Sequence, residues 1–187
     1  MLRLNSAVFT FKDISLIWGE TDAKRTKRRI YRYVKSGKLY SVRRGIYAKD
    51  KNYDKLELAS KIYTPSYISF ETVLAKAGIV FQFYAQIFVA SYLTREITAD
   101  KQNYSYKKIK DSVLTNQAGI EKKNNYAIAS TERAFLDVLY LNKDYHFDNL
   151  SPLDWDKVFE ILPIYTNKRM EKKAKEYQQK VLKTKTK

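Results

Sequence analysis

The sequence predicts an α+β protein that begins with a small basic domain and ends in helices. Apolar residues recur at helical spacing near both ends of the chain, whereas the middle contains β-prone runs separated by polar turns. Hydrophobic residues make up 44% of the 187 residues, which is enough to build a core in one or two domains. Lysine and arginine are concentrated in the first fifty residues.

The first two helices are predicted from residues that commonly cap helices. Thr10 precedes residues 11–18 and can cap a short helix over them. Thr21 can cap a second, longer helix that extends to about Ser36, where Gly37 supplies the left-handed residue that ends helices. The segment is therefore expected to form a helix, a tight turn and a helix.

A basic hairpin is predicted directly after the second helix. The β-prone residues 39–42 and 46–48 flank Arg43, Arg44 and Gly45, and this glycine can take the positive φ that a hairpin turn needs. Helix, turn, helix and basic hairpin follow one another in the order of a winged helix-turn-helix domain, which we assign to residues 1–51.

The middle of the chain should contain two helices and three strands. Residues 54–64 have a helical pattern that Pro65 ends. Ser69 is predicted to cap a helix over residues 70–77, which Gly78 closes. The strands are expected at residues 87–91, 104–109 and 126–129.

The last third is predicted to be helical and to complete a mixed α/β domain over residues 52–187. The helices are expected to start at Ser130 or Thr131, at Ser151 and at Asn167, and to end at Leu141, Pro163 and Leu182. Ser151 and Pro152 resemble a capping-box start with proline at the first helical position. The last helix carries an apolar stripe at Met170, Ala174, Tyr177 and Val181 and should pack on a neighbour.

Charge is the strongest functional signal in the sequence. The formal net charge is +16, and residues 1–51 hold 14 lysines and arginines against 4 aspartates and glutamates. Such a field attracts polyanions because binding releases their condensed counterions, so double-stranded DNA is the first candidate partner. The alternative is a helix face whose charges are merely solvated.

The second helix is predicted to present its cations on one side. Its buried side is expected to hold Ala23, Thr26, Ile30, Tyr33 and Val34. Its DNA-binding side is expected to hold Thr21, Lys24, Arg25, Arg28, Arg32 and Lys35, joined by Arg43 and Arg44 of the hairpin. Arg25 and Arg28 are placed to read base edges, because the N-terminal part of such a helix enters the major groove. Arg32, Lys35, Arg43 and Arg44 are assigned to phosphates, and Lys24 flanks the same side.

Enzyme chemistry has little support in the sequence, and we predict no catalytic residue, metal or cofactor. There is no cysteine, and His146, the only histidine, is expected at the surface. Five glycines leave little material for a phosphate-binding loop. Metal binding by carboxylates alone, as in a DNA-directed nuclease, stays open.

The composition also predicts a cytoplasmic protein with no membrane segment. The absence of cysteine removes disulfides as a source of stability. The first residues lack the apolar core of a signal peptide, and no stretch approaches the roughly 20 apolar residues that a bilayer requires.

Five segments carry a resemblance to a known family. They are KSGKLYSVRRGIYA, PSYISFETVLAKAGI, IFVAS, GIEKKNNYAIAS and TERAFLDVLYL. In their order and spacing, over residues 10–165, they resemble the AbiEi-type antitoxins of type IV toxin-antitoxin systems, which act in bacterial abortive infection, a phage defence. The N-terminus is shorter than in the family, so a first helix of the winged domain is expected to be either missing or replaced by a strand at residues 7–10.

The resemblance implies two activities without a catalytic step. The winged helix-turn-helix would repress transcription from the protein's own promoter by binding repeats there, and the rest of the chain would counter a nucleotidyltransferase-like toxin. Glu132, Arg133 and Asp137 fall on family motif positions, where we expect a structural role with Arg133 and Asp137 paired at i, i+4. The alternatives are a stand-alone winged-helix transcriptional regulator, a nuclease, and a module that binds RNA or an acidic protein. The oligomeric state is left open.

Overall fold

A computed structural model describes residues 5–123 and 125–185 of the chain. This part of the protein is mixed α+β, as predicted, with eight α-helices and two sheets. The helices are α1 (Phe11–Trp18), α2 (Ala23–Lys35), α3 (Lys55–Ile62), α4 (Glu71–Lys76), α5 (Asp111–Leu114), α6 (Thr131–Leu141), α7 (Trp155–Ile161) and α8 (Lys168–Lys185), with a 3-10 helix at Leu162–Tyr165. The strands are β1 (Val8–Thr10), β2 (Tyr40–Arg43), β3 (Ile46–Ala48), β4 (Ser66–Ile68), β5 (Ile87–Ser91), β6 (Arg95–Ala99), β7 (Gln102–Lys108), β8 (Ile120–Lys123) and β9 (Tyr126–Ala129).

Residues 8–48 form an N-terminal unit of strand, helix, helix and hairpin. Its sheet has the antiparallel order β1-β3-β2, and β1 is the strand that the sequence leaves as one of two possibilities for residues 7–10. Thr10 caps α1 as predicted, because its hydroxyl accepts from the Asp13 backbone N–H while the Asp13 carboxylate accepts from that of Thr10. Gly45 has φ 79°, as the hairpin turn requires.

Aspartates replace two of the predicted cap residues. The cap of α2 is Asp22 and not Thr21: its carboxylate accepts from the backbone N–H of Lys24 at 2.7 Å, and Thr21 lies outside the helix. Asp154 likewise caps α7, so the helix predicted from Ser151 starts later. A carboxylate satisfies the same N–H groups as a hydroxyl and adds a negative charge at the positive end of the helix, which favours aspartate at both sites.

The predicted cap at Ser69 is also wrong, for a different reason. The Ser69 hydroxyl donates to Asp137 Oδ2 at 2.7 Å and does not bind the backbone of the next helix. α4 therefore begins at Glu71 without a side-chain cap.

The large sheet has the strand order β6-β7-β5-β4-β9-β8. β5 lies parallel to β7, and β4 lies antiparallel to β5 and parallel to β9. The three predicted strands correspond to β5, β7 and β9, whereas β4, β6 and β8 were not predicted. β4 has only three residues, and β6 and β8 are edge strands with exposed charged residues, so none of the three shows a clear apolar alternation.

The N-terminal unit shares its packing with the rest of the chain. One face of its sheet joins a small cluster with α1 and α2, formed by Phe9, Ile14, Ile30 and Leu39. Val8, Ile46 and Ala48 belong to the main core instead. The buried Glu57 of α3 accepts hydrogen bonds from the backbone N–H of Ala7 and Val8. The boundary predicted after residue 51 lies in a connection without regular structure, yet the core is continuous across it.

The predicted core helices are in place. Phe135, Leu136 and Leu139 of α6 are buried, and so are Met170 and Ala174 of the α8 stripe. Across residues 5–123 and 125–185, no helix combines the length and the apolar character that a membrane crossing requires.

Candidate nucleic-acid interface

Helix α2 is divided into a buried side and a cationic side. Thr26 and Ile30 are buried, and the Thr26 hydroxyl donates to the Asp22 carbonyl at 3.1 Å. Tyr33 and Val34 are half-buried against the small cluster, as predicted. Ala23, which was predicted on the buried side, is exposed at the first position of the helix.

The cations of α2 have no acidic partners. Its exposed basic residues are Lys24, Arg25, Lys27, Arg28, Arg29, Arg32 and Lys35. The helix contains no aspartate or glutamate, and within the described residues none of these side chains forms a salt bridge. Positive charge that is not compensated locally produces a field able to hold a polyanion.

Several of the predicted residues line one concavity at the side of α2. It has a volume of about 480 Å³ and is lined by Glu20, Arg25, Arg28, Arg29, Arg32 and Tyr33. The structure thus brings the predicted residues Arg25, Arg28 and Arg32 together. It places Arg29, which was not among the predicted DNA-binding residues, in the same lining. Arg29 lies over the ring of Trp18 in α1, a contact between two helices that no local sequence pattern indicates.

The two arginines of the hairpin have different environments. Arg44 is exposed, as predicted for a phosphate contact, whereas Arg43 is half-buried. Its Nη1 atom is buried and has no hydrogen-bond partner among the described residues. A bulge between Ser41 and Arg43 places Arg43 opposite Ile46, a main-core residue, so the side chain turns inward. Arg43 is therefore less accessible to a ligand than Arg44, and its assignment to a phosphate contact stays a prediction.

An aspartate at the β6–β7 turn fixes the N-terminal unit on the large sheet. Asp100 accepts hydrogen bonds from the hydroxyls of Tyr40 at 2.9 Å and Tyr53 at 2.6 Å, and it pairs with Lys55 Nζ at 2.7 Å. The bonds from Lys55 and Tyr53 lower the pKa of the Asp100 carboxyl to about 2. Since Tyr40 belongs to β2, this contact sets the orientation of the hairpin relative to the sheet.

The motif residues of α6 form a buried polar network. Arg133 and Asp137 are fully buried and pair at 3.3 Å, as predicted for i, i+4 positions. Arg133 also donates to the Ala118 and Val113 carbonyls, each at 2.7 Å, and to Tyr67 at 2.8 Å. Burial acts to lower the pKa of Arg133, but its anionic and phenolic neighbours raise it above the ordinary value, so the guanidinium stays charged. The network is structural in character because every part of it lies inside the protein.

Residues that could bind metal are dispersed. The His146 side chain is 89% exposed beside Asp148, which confirms that it lies at the surface. Residues 5–123 and 125–185 contain no group of three or more histidine, cysteine, aspartate or glutamate side chains able to hold a metal ion.

A scan against models of known protein families finds no match for this chain, and a search of curated proteins finds no similar sequence. Function must therefore be inferred from the residues themselves.

Proposed function

We propose that the N-terminal unit is a winged helix-turn-helix and that it binds double-stranded DNA through α2. The supporting observation is the cationic side of α2, whose lysines and arginines are exposed and form no salt bridge with any residue that the structure describes. The order of strand, helix, helix and hairpin suits this assignment because it is the order of a winged helix-turn-helix, and the basic residues of α2 and Arg44 at the hairpin turn are exposed.

The positions of the residues along α2 assign their roles. Arg25 and Arg28 lie near the N-terminal end of the helix, where a groove-binding helix reaches base edges, and arginine pairs bidentately with guanine O6 and N7. Arg32 and Lys35 lie further along α2, and Arg44 lies on the hairpin, so these three are assigned to phosphates. Lys24 flanks the same side. Thr21 is exposed just before the helix, and we assign it a contact with the DNA backbone only.

The resemblance to AbiEi-type antitoxins extends this proposal to a biological role. In that role the protein is a transcriptional autorepressor that binds promoter repeats, and it counters a nucleotidyltransferase-like toxin of a phage-defence system. The fixed contact between Asp100 and the N-terminal unit means that both activities are best tested in the full-length chain.

DNA binding is tested by fluorescence anisotropy with a duplex taken from upstream of the protein's own reading frame. Tight binding of this duplex and weaker binding of a scrambled one support the proposal. Arg28→Ala should cost about 1 to 3 kcal/mol on the upstream duplex and reduce discrimination, whereas Arg44→Ala should weaken both duplexes alike. Equal loss on both duplexes for Arg28→Ala would reverse the assigned roles, and magnesium-dependent cleavage of the duplex would favour a nuclease.

The antitoxin role is tested by growth rescue after induction of a toxin encoded in the neighbouring reading frame. Full-length protein should restore growth. The doubly substituted chain Arg25→Ala, Arg28→Ala should still restore growth, because these residues lie outside the main core, but it should no longer repress the promoter. Loss of rescue in this variant, with its melting temperature unchanged, would contradict the separation of the two activities.

A further inference from the structure

The concavity beside α2 combines arginines with an aromatic wall. Of its six lining residues, Glu20 comes from the α1–α2 connection and the other five come from the first three turns of α2. Tyr33 forms part of the wall, and its ring centroid lies 5.3 Å from that of Trp18 at the end of α1. The two rings therefore form a small aromatic surface where the two helices meet.

Arg29 is held on this aromatic surface. Its Cζ atom lies 4.2 Å from the Trp18 ring centroid and 5.8 Å from that of Tyr33. Stacking on a ring occupies the flat face of a guanidinium but leaves its N–H donors free at the rim. It also restricts a flexible side chain before any ligand binds, which reduces the entropy lost on binding.

The next observation concerns the ionic partners of the arginines that line the concavity. Arg25, Arg28, Arg29 and Arg32 form no salt bridge within the part of the chain that the structure describes. Glu20 is the one acidic residue on the lining, and its Oε1 accepts from the Asp22 backbone N–H at 3.2 Å. Four guanidinium groups against one carboxylate give the concavity a clear excess of positive charge.

We infer that this concavity binds a backbone phosphate of the DNA, with Arg29, positioned by Trp18, as its principal ligand. The inference rests on the proposed DNA binding and adds a site to it. The parallel N–H donors of a guanidinium match the spacing of phosphate oxygens. Stacking on Trp18 restricts the position of these donors in Arg29. Trp18 acts through Arg29 and is a positioning residue.

The first test compares two charge-removing variants of the same helix by anisotropy. Arg29→Gln should weaken duplex binding by about tenfold, because it removes a charge-assisted hydrogen bond to phosphate. Lys27→Gln is the matched control: Lys27 is equally exposed but lies outside the concavity, so its loss should stay within about threefold. Equal losses in the two variants overturn the inference and leave the proposed function intact. Failure of the wild-type chain to bind any duplex overturns both.

The second test identifies the phosphate. Single phosphates of the duplex are replaced in turn by uncharged methylphosphonates, and each duplex is titrated with wild-type protein and with Arg29→Gln. At one position the replacement should weaken the wild type but leave the variant unchanged, since the variant has already lost that contact. Parallel losses in both proteins at every position would show that Arg29 contacts no phosphate.

Substitutions of Glu20, which lines the concavity, and of Trp18, which lies under Arg29, should change the affinity in opposite directions. Glu20→Gln should tighten binding by about two- to threefold, because it removes the only negative charge from the concavity while its amide oxygen can still accept from Asp22. Trp18→Leu should weaken binding, and Trp18→Phe should recover most of the loss, because an aromatic face supports the guanidinium. Equal affinities for Trp18→Leu and Trp18→Phe would contradict the positioning role.

Discussion

Arginine serves two purposes in this protein, in α2 and in α6. The α2 arginines are exposed and form no salt bridge within the described residues, whereas Arg133 is fully buried and bonded to a carboxylate, a hydroxyl and backbone carbonyls. A buried charge must be fully satisfied or it costs several kcal/mol, and an exposed charge costs little and stays available. An arginine that stabilises the fold is therefore distinguished from one that can bind a ligand by its hydrogen-bond and ion-pair partners, more than by its charge.

The largest expected effect is the loss of the buried pair. Arg133→Met should lower the free energy of unfolding by about 3 to 5 kcal/mol, because Asp137 would be left as an uncompensated buried charge. Chemical denaturation of the purified protein measures this change. An Arg133→Met chain as stable as wild type would remove the contrast between the two groups of arginines.

The next largest effect on stability concerns apolar packing in α6, the helix that also holds the Arg133–Asp137 pair. Leu139→Ala should destabilise by roughly 2 to 5 kcal/mol, since Leu139 is 1% exposed in the main core. Leu141→Ala is the matched control, because Leu141 is 39% exposed at the end of α6 and should cost far less. Equal shifts in melting temperature for the two variants would contradict the burial of this helix face.

A smaller effect concerns the contact that joins the two parts of the chain. The folded-state pKa of Asp100 is lowered from 3.8 to about 2, so its contribution is present above pH 4 and is lost as the pH falls towards 2. The contribution should be on the order of 1 to 2 kcal/mol for this partly exposed group. Asp100→Asn should be less stable at pH 7 by that amount and should show a shallower loss of stability between pH 4 and pH 2. An unchanged acid profile would show that Asp100 does not anchor the N-terminal unit.

The smallest effect on stability is expected in α2. Arg28→Gln should change the free energy of unfolding by less than about 0.5 kcal/mol, because an exposed side chain without partners contributes little to the fold. Its circular dichroism and melting temperature should match those of the wild type. A clear destabilisation would mean that the α2 cations are structural and weaken the proposed interface.

The sequence predicts well what depends on local pattern and less well what depends on distant contacts. Local sequence pattern predicts the amphipathic face of α2, the glycine of the hairpin turn and the buried face of α6. The structure confirms all three. The caps of α2 and α7 were misassigned because an aspartate stands close to each predicted hydroxyl. Edge strands were missed because most residues of β6 and β8 are exposed and polar, so these strands lack the alternation of apolar residues that a half-buried strand shows.

The candidate site shows the same division. Helical spacing alone places Arg25, Arg28 and Arg32 on one side of α2, and the structure agrees. The inward turn of Arg43 depends on a strand bulge, and the position of Arg29 depends on a ring from another helix. Neither contact has a signature in the residues that surround it.

The most direct test of DNA binding by α2 is a salt titration of duplex affinity with the full-length chain. The wild-type logarithm of affinity should fall steeply and linearly with the logarithm of salt concentration, by about 0.9 for each phosphate neutralised. A chain with Arg32→Gln and Lys35→Gln, which replace two α2 residues assigned to phosphates, should lose about two of these contacts and show a correspondingly shallower slope at unchanged melting temperature. A wild-type slope near zero, or a slope that the two substitutions leave unchanged, would contradict the proposal that α2 binds DNA.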